Sequence, residues 1–336
     1  MAAANSSRAE TAPGNERIRD ISFVGCDINE HLAGILGPGF VDYRKRWASA
    51  EQLLQTPDAP LFLQVETING CNLRCRMCFR RTKAGSPVKT MRPELFQRII
   101  EQVAEERIPS MCLNENNEPL LDREIPNRIA MARAAGVIDA RINTNGMLLT
   151  AEMSRRLIAS GLTRLSVSID AARVETYSGI RTGGDFHRVV TNVLNFLDLR
   201  RAAGARLPVL RVTFVVLEEN TSEQDEFVAF WADKADYVSF QRYVPHTSAD
   251  VAKGLGAKSA SNGGGVCSQP FERLIIDVDG GVYPCCSPLG RNLRLGSIQE
   301  QSIHELWNSA REKHLRQCMS AGDLQSEAVC AACRGG

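Results

Sequence analysis

Between residues 61 and 242 the chain alternates short β-rich runs with helix-length amphipathic runs, a rhythm that points to a parallel sheet covered by helices. Strands are expected at Leu61 to Thr67, Ser110 to Asn114, Asp139 to Thr144, Arg164 to Ile169, Val209 to Val216 and Tyr237 to Arg242. Helices are expected at Pro93 to Glu106, Ile125 to Ala135, Thr150 (as N-cap) to Ser160, Phe186 to Ala203 and Ser222 to Lys234. Sheets and barrels of this kind place ligand sites at the C-terminal ends of their strands.

The flanks read differently. Met1 to Asp20 is polar, Ala-rich and without a hydrophobic h-region, so it reads as a disordered tail rather than a secretory signal. His246 to Gly265 is rich in Ser, Gly and Ala and reads as a linker. Beyond it, Phe271 to Asp277 and Val282 to Pro284 flank Asp279-Gly280-Gly281 as a β-hairpin, and Ile303 to Cys318 reads as helical. The chain therefore divides into 1–60 (tail and helical segment), 61–245 (α/β core) and 246–336 (linker and second domain). A net charge of +1 provides no field to draw in nucleic acid or anionic lipid, and no apolar run approaches the length of a membrane span. A cytoplasmic protein is expected.

There are 11 cysteines. At short regular spacings in a reducing compartment such thiols are more often metal ligands than disulfides. Cys71, Cys75 and Cys78 form C-x3-C-x2-C just after the first core strand. Three thiolates at that spacing can wrap one face of a 4Fe-4S cluster and leave one iron open; an electron-transfer cluster usually has four. Part of a zinc site is the alternative. Cys26 and Cys112 read as small buried hydrophobes.

With this loop following the first strand, the chain resembles the radical S-adenosylmethionine (radical SAM) superfamily. The resemblance is carried by the cysteine loop, Asn116-Asn117-Glu118-Pro119 after the second strand, Asn143-Thr144-Asn145-Gly146 after the third, Ser166 to Ala171 at the fourth, and Gly179-Ile180-Arg181. It implies a partial (βα)6 TIM-like barrel. It also implies a cluster held by Cys71, Cys75 and Cys78, and S-adenosylmethionine on the open iron. In that family Glu118 would meet the SAM ammonium, Arg181 its carboxylate and Ser168 the ribose. Asn145 belongs to the third-strand motif, Val215 and Val216 would pack on adenine, and Met77 and Phe79 would lie beside it.

The C-terminal cysteines resemble the SPASM/twitch extension, with Gly280-x4-Cys285, Leu295 to Ile298, Glu305-Leu306-Trp307 and Cys330-x2-Cys333. Cys267, Cys285, Cys330 and Cys333 would hold one auxiliary 4Fe-4S cluster, with structural zinc as the alternative. Their layout is most like that of 2-deoxy-scyllo-inosamine dehydrogenase-like enzymes of aminocyclitol biosynthesis. The implied reaction is oxidation of a secondary alcohol on a cyclitol, aminoglycoside or sugar, with the auxiliary cluster accepting the electron. Gln241, Arg242, Tyr243 and His246 are candidate substrate contacts, and Arg242 or His246 would assist loss of the hydroxyl proton. An epimerase with Cys286 or Cys318 as hydrogen donor, and an enzyme modifying ribosomal peptides, are the alternatives. The basic stretch Arg74, Arg76, Arg80, Arg81 and Lys83 suits an acidic electron donor such as flavodoxin or ferredoxin.

Overall fold

The computed structural model describes residues 18–52, 55–80, 87–243, 267–323 and 325–335. Its strands are β1 (Ile18–Ser22), β2 (Phe62–Val65), β3 (Ser110–Cys112), β4 (Asp139–Thr144), β5 (Arg164–Ser168), β6 (Val209–Val216), β7 (Tyr237–Arg242), β8 (Arg273–Ile276), β9 (Gly281–Tyr283) and β10 (Gly296–Ser297). They form one sheet in the order β1-β7-β6-β5-β4-β3-β2-β8-β9-β10. From β2 to β7 all neighbours are parallel and sequential, which is the half-barrel expected from the strand–helix alternation.

The helices are α1 (Ile28–Leu36), α2 (Pro38–Glu51), α3 (Pro93–Glu105), α4 (Ile125–Ala134), α5 (Ala151–Ala159), α6 (Val174–Ile180), α7 (Phe186–Ala202), α8 (Gln224–Trp231), α9 (Gln269–Glu272), α10 (Ile303–Trp307), α11 (Ala310–Ala321) and α12 (Ala328–Gly335). Thr150 caps α5 by accepting from the Met153 backbone N–H at 3.2 Å.

Side chains alternate across a strand, so every second residue of the parallel strands packs beneath the helices. Leu63, Val65, Met111, Ala140, Ile142, Leu165, Val167, Leu210, Val212, Phe214, Val238 and Phe240 join one core with Phe96 and Ile99 of α3, Val189, Val193 and Phe196 of α7, and Phe227 and Trp231 of α8. A second core lies at the other end of the strands. There Ile28 and Leu32 of α1 and Phe40, Tyr43 and Trp47 of α2 meet Leu61, Phe62, Val209 and Tyr237. Phe62, Val209 and Tyr237 open their strands, so α1 and α2 close the N-terminal end of the half-barrel.

Four expectations change. The polar N-terminal tail stops short of Ile18, because Ile18–Ser22 pairs antiparallel with β7 and covers that edge. The helix expected at Ser222 to Lys234 begins as a 3-10 turn, Glu218–Glu223, and becomes α-helical at Gln224. The helical run at Ile303 to Cys318 is two helices, because Ser309 caps α11 by accepting from the Glu312 backbone N–H at 3.2 Å. Cys26 is exposed, while Cys112 is buried as expected.

β8 and β9 form the expected hairpin, and β8 lies parallel to β2 with Phe62 opposite Arg273 and Val65 opposite Ile276. The C-terminal region thus extends the half-barrel sheet. On α11, burial lifts the Glu312 carboxyl to about 8 against the opposing pull of Arg316, 3.5 Å away. A carboxyl raised in the folded state gives stability that is complete below its unfolded value and is lost as pH rises through about 8. Glu312→Gln is therefore expected to flatten the fall in stability between pH 6 and 9, and to stabilise by on the order of 2 kcal/mol at pH 8.5. Thermal unfolding followed at several pH values checks this; an unchanged slope would refute it.

Candidate active site

The cysteine loop follows β2 and is pinned from two sides. Backbone N–H groups of Arg74 and Arg76 donate to the carbonyls of Thr182 and Ile180 at 2.9 and 3.0 Å. On the other side, the Glu118 N–H donates to the Gly70 carbonyl at 2.8 Å. Cys75 is buried, and Cys71 and Cys78 are half-buried. Burial pushes the Cys71 thiol up to about 11 and raises Cys75 as well.

Donors already face these sulfurs. Asn145 Nδ2 lies 3.9 Å from Cys71 Sγ and also donates to Asn72 Oδ1 at 2.8 Å. Arg181 Nη1 lies 3.7 Å from Cys75 Sγ. These contacts offset the cost of thiolate in a buried loop, so the donor set fits a bound iron–sulfur group. Among the described residues, no group of His, Cys, Asp or Glu is arranged to hold a single metal ion. A cubane takes each thiolate at its own iron.

Glu118 is 1% exposed, and its carboxylate joins two strand-end loops. Oε1 accepts from the Leu120 N–H at 3.0 Å and Thr144 Oγ1 at 2.6 Å, and Oε2 accepts from the Asn145 N–H at 2.7 Å. Burial raises this carboxyl, while those three donors oppose the rise. Glu118 was expected to meet a SAM ammonium; the structure occupies it first with holding the third-strand motif. Arg181 was expected to meet a carboxylate of SAM, and here its carboxylate partner is Asp170, with which it makes a buried ion pair. Asp170 has φ 64°, and its Oδ1 accepts from the Val215 N–H at 2.8 Å, tying β6 to the same pair. Asp170 was not singled out, although it stands two residues after Ser168. Ser168 is half-buried and accepts from Thr213 Oγ1 at 3.1 Å. Val215 and Val216 are half-buried at the end of β6, Met77 is buried and Phe79 half-buried in the cysteine loop.

The proposed substrate contacts divide. Gln241 has the parity of Ser239, facing the concave side, whereas Arg242 has the parity of Val238 and Phe240 and is exposed. Arg242 ends the strand level with Val216 of β6. His246, Arg81 and Lys83 lie outside the described residues. Tyr243 is buried, and Arg76 pairs with Glu219 at 2.9 Å.

The C-terminal thiols come together beside the extended sheet. Burial raises Cys285, and the neighbouring Cys286, Cys267 and Cys333 sulfurs raise it further. Burial likewise pushes Cys330 up to about 12, with Cys267, Glu327, Cys333 and Cys318 adding to it. Ser287 Oγ is 3.5 Å from Cys333 Sγ. Gly290 leaves space at the Cys285 sulfur that any Cβ would fill, so this group also fits a bound cluster. The Cys286 N–H donates to Gln269 Oε1 at 3.0 Å, and Cys318 Sγ lies 3.5 Å from His314 Nε2 on the face of α11 toward Cys330.

Arg291, from the turn after Cys285, makes ion pairs with Glu115 after β3 and, at 3.7 Å, with Asp277 after β8. It also lies over the Tyr283 ring at 4.6 Å. Glu115 and Arg291 stand 176 residues apart, and no sequence signal joins them.

Residues 65–230 match the model of the Radical SAM superfamily, and residues 267–334 match SPASM, an iron–sulfur cluster-binding domain. The chain carries a radical SAM domain followed by a SPASM domain. The fold is accordingly the radical SAM α/β TIM-like fold with its C-terminal extension. The radical SAM domain implies S-adenosylmethionine with its 4Fe-4S cluster, and the SPASM domain implies auxiliary iron–sulfur. The chain is similar to the mycofactocin maturase MftC of Mycolicibacterium smegmatis, at 26% identity over 85% of this chain and 80% of that one. Among solved structures it is similar to BtrN in complex with AdoMet and 2-DOIA (TM-score 0.52, 18% identity, 80% of this chain and 90% of that one). It is also similar to Streptococcus suis SuiB bound to precursor peptide SuiA (TM-score 0.61, 16% identity, 82% and 71%). No described helix is long and apolar enough to cross a membrane.

Two outcomes follow for the radical SAM domain. Gly146 has φ 75°, and a Cβ there would lie 3.0 Å from Val167 and 3.1 Å from Val189. Gly146→Ala is expected to cost about 1–3 kcal/mol in thermal or denaturant unfolding. Glu118→Gln would set an amide N–H against one of the present donors. Affinity for SAM, measured by equilibrium dialysis on the reconstituted protein, should fall about 10–100-fold; unchanged affinity would remove Glu118 from the positioning of Asn145.

Proposed function

We propose that this chain is a radical SAM oxidoreductase that converts a secondary alcohol of a cyclitol- or sugar-like substrate to a ketone. In that reaction a hydrogen atom, a proton and an electron leave the CH–OH group. When bound, S-adenosylmethionine and its cluster supply hydrogen-atom abstraction, and an auxiliary 4Fe-4S cluster supplies an electron acceptor. Cys71, Cys75 and Cys78 would hold the first cluster, and Cys267, Cys285, Cys330 and Cys333 the second. What supports the reading is the iron–sulfur domain match over residues 267–334, with the Cys285 sulfur against Gly290 and the Cys333 sulfur 3.5 Å from Ser287 in the neighbouring turn: with four protein ligands a cluster has no open iron and suits electron transfer.

The remaining work falls to side chains of this chain. Glu118 and Asn145 hold the strand-end loops against the Cys71 side of the first site. Arg181, fixed by Asp170, keeps positive charge beside Cys75. Ser168 and Val215, which share the concave parity, offer a polar and an apolar contact for the nucleoside half of SAM. Arg291 ties the SPASM domain to the β3 loop through Glu115.

A second reading, modification of a peptide, draws support from the similarity to a mycofactocin maturase across most of the chain. One experiment separates the two. Anaerobically reconstituted protein, SAM and dithionite are incubated with cyclitols and sugars or with peptides, and the products are weighed by mass spectrometry. The alcohol oxidase should yield a product lighter by two hydrogens with one SAM consumed per turnover. In the Cys330→Ala/Cys333→Ala variant, iron content should drop from about eight to about four per chain. That variant should still form 5′-deoxyadenosine while losing the ketone. Undiminished ketone from the variant, or mass change confined to peptides, would overturn the reading.

A further inference from the structure

The register of the parallel strands places two arginines on the concave face of the half-barrel. Arg141 of β4 is level with Arg164 of β5 and Val209 of β6, and Arg211 of β6 is level with Ser166 and Tyr237. Both have the parity opposite to Ile142, Val212 and the other helix-facing residues, and both are half-buried. Most charged groups around them have partners. Arg164 pairs with Asp139 at 3.1 Å, Arg181 with Asp170, and Arg291 with Glu115 and Asp277. Among the described residues, Arg141 and Arg211 make no ion pair within 4.0 Å, and the buried Nε of each has no hydrogen-bond acceptor.

These two guanidinium groups are held rather than loose. Arg141 stacks over the Phe62 ring at 4.2 Å. Arg211 Nη2 donates to Asn143 Oδ1 at 3.2 Å. Asn143 is fixed in turn: its N–H donates to Asn114 Oδ1 at 2.8 Å, and its Nδ2 lies 3.4 Å from Cys112 Sγ. Both arginines act on that same Cys112 thiol, drawing it down against the larger upward push of burial, so they converge from two strands. The Asp139 carboxylate offsets part of the Arg141 charge without bonding it, so the pair keeps net positive charge and unused donors in a low-dielectric cleft, and the guanidinium fork suits a planar or tetrahedral oxyanion.

We propose that Arg141 and Arg211 form an oxyanion-binding subsite on the floor of the half-barrel, and that the substrate carries a carboxylate or phosphate group. The inference rests on the reading of this concave face as the substrate chamber, and it narrows that reading: polycationic aminoglycosides are disfavoured, while acidic or phosphorylated alcohols are selected. Asn143 is the positioning residue that orients Arg211.

The subsite is tested by binding rather than turnover, so it stands or falls apart from the alcohol-oxidation reading. The reconstituted full chain is titrated calorimetrically with benzoate and with inorganic phosphate, at ionic strength held constant with chloride. Saturable binding to wild type is expected, weakened about tenfold or more in Arg141→Gln/Arg211→Gln. Arg141→Lys/Arg211→Lys, which keeps the charge but not the fork, should fall between the two and guards against misfolding of the Gln pair. Preference for benzoate or phosphate identifies which group the substrate carries. No saturable binding to wild type, or equal binding by wild type and both double variants, would overturn the subsite. Wild-type 5′-deoxyadenosine formation in the same preparation tests the radical SAM chemistry separately.

Discussion

Two buried carboxylates hold the residues that face the cysteine sulfurs, and the site depends on their being satisfied. Glu118 cannot sit at 1% exposure without donors. It finds them on Leu120, Thr144 and Asn145, which locks the loops after β3 and β4 together. Asp170 is fully buried and finds Arg181 and the Val215 N–H, which locks the connection after β5 to the end of β6. From these anchors Asn145 reaches the Cys71 sulfur and Arg181 the Cys75 sulfur. Removing either carboxylate would leave buried donors unpaired and release a polar contact to a thiol.

The second thiol group is positioned by continuation of the sheet. Because β8 is parallel to β2, hydrogen bonds of the half-barrel run on into the SPASM hairpin. The turn after Cys285 then brings Arg291 back to Glu115. Backbone pairing joins the two regions, and side-chain links such as Arg291 to Glu115, Lys89 to Asp279 and Arg98 to the Ile298 carbonyl add to it. The half-barrel is shut at the opposite end by α1 and α2, whose Phe40, Tyr43 and Trp47 pack on the first residues of three strands. What remains between is a concave face of Ser, Thr, Asn, Gln and Arg.

Much of the core was legible because its signals are local. β4, β6 and β7 lie where hydrophobic periodicity and β-branched runs place them, and the Thr150 cap is where the side-chain chemistry puts it. Ile18–Ser22 was not legible, since a short polar edge strand has no apolar alternation of its own and is stabilised only by pairing with β7. The break at Ser309 was missed because it depends on a cap inside an otherwise helical stretch. Motif matching named Glu118, Asn145 and Arg181, but the Glu118–Asn145 contact and the role of Asp170 as partner of Arg181 emerged only from the folded chain.

The sequence by itself determined the strand–helix rhythm, the two cysteine groups and the motif order at successive strand ends, because each is written in residues close together along the chain. Only the tertiary structure decided that Ile18–Ser22 covers the edge at β7, that Arg291 answers Glu115, and that Arg141 and Arg211 share one face of the sheet. Those facts depend on register between strands and on which buried charge finds a partner across the sheet, and neither is encoded at short range.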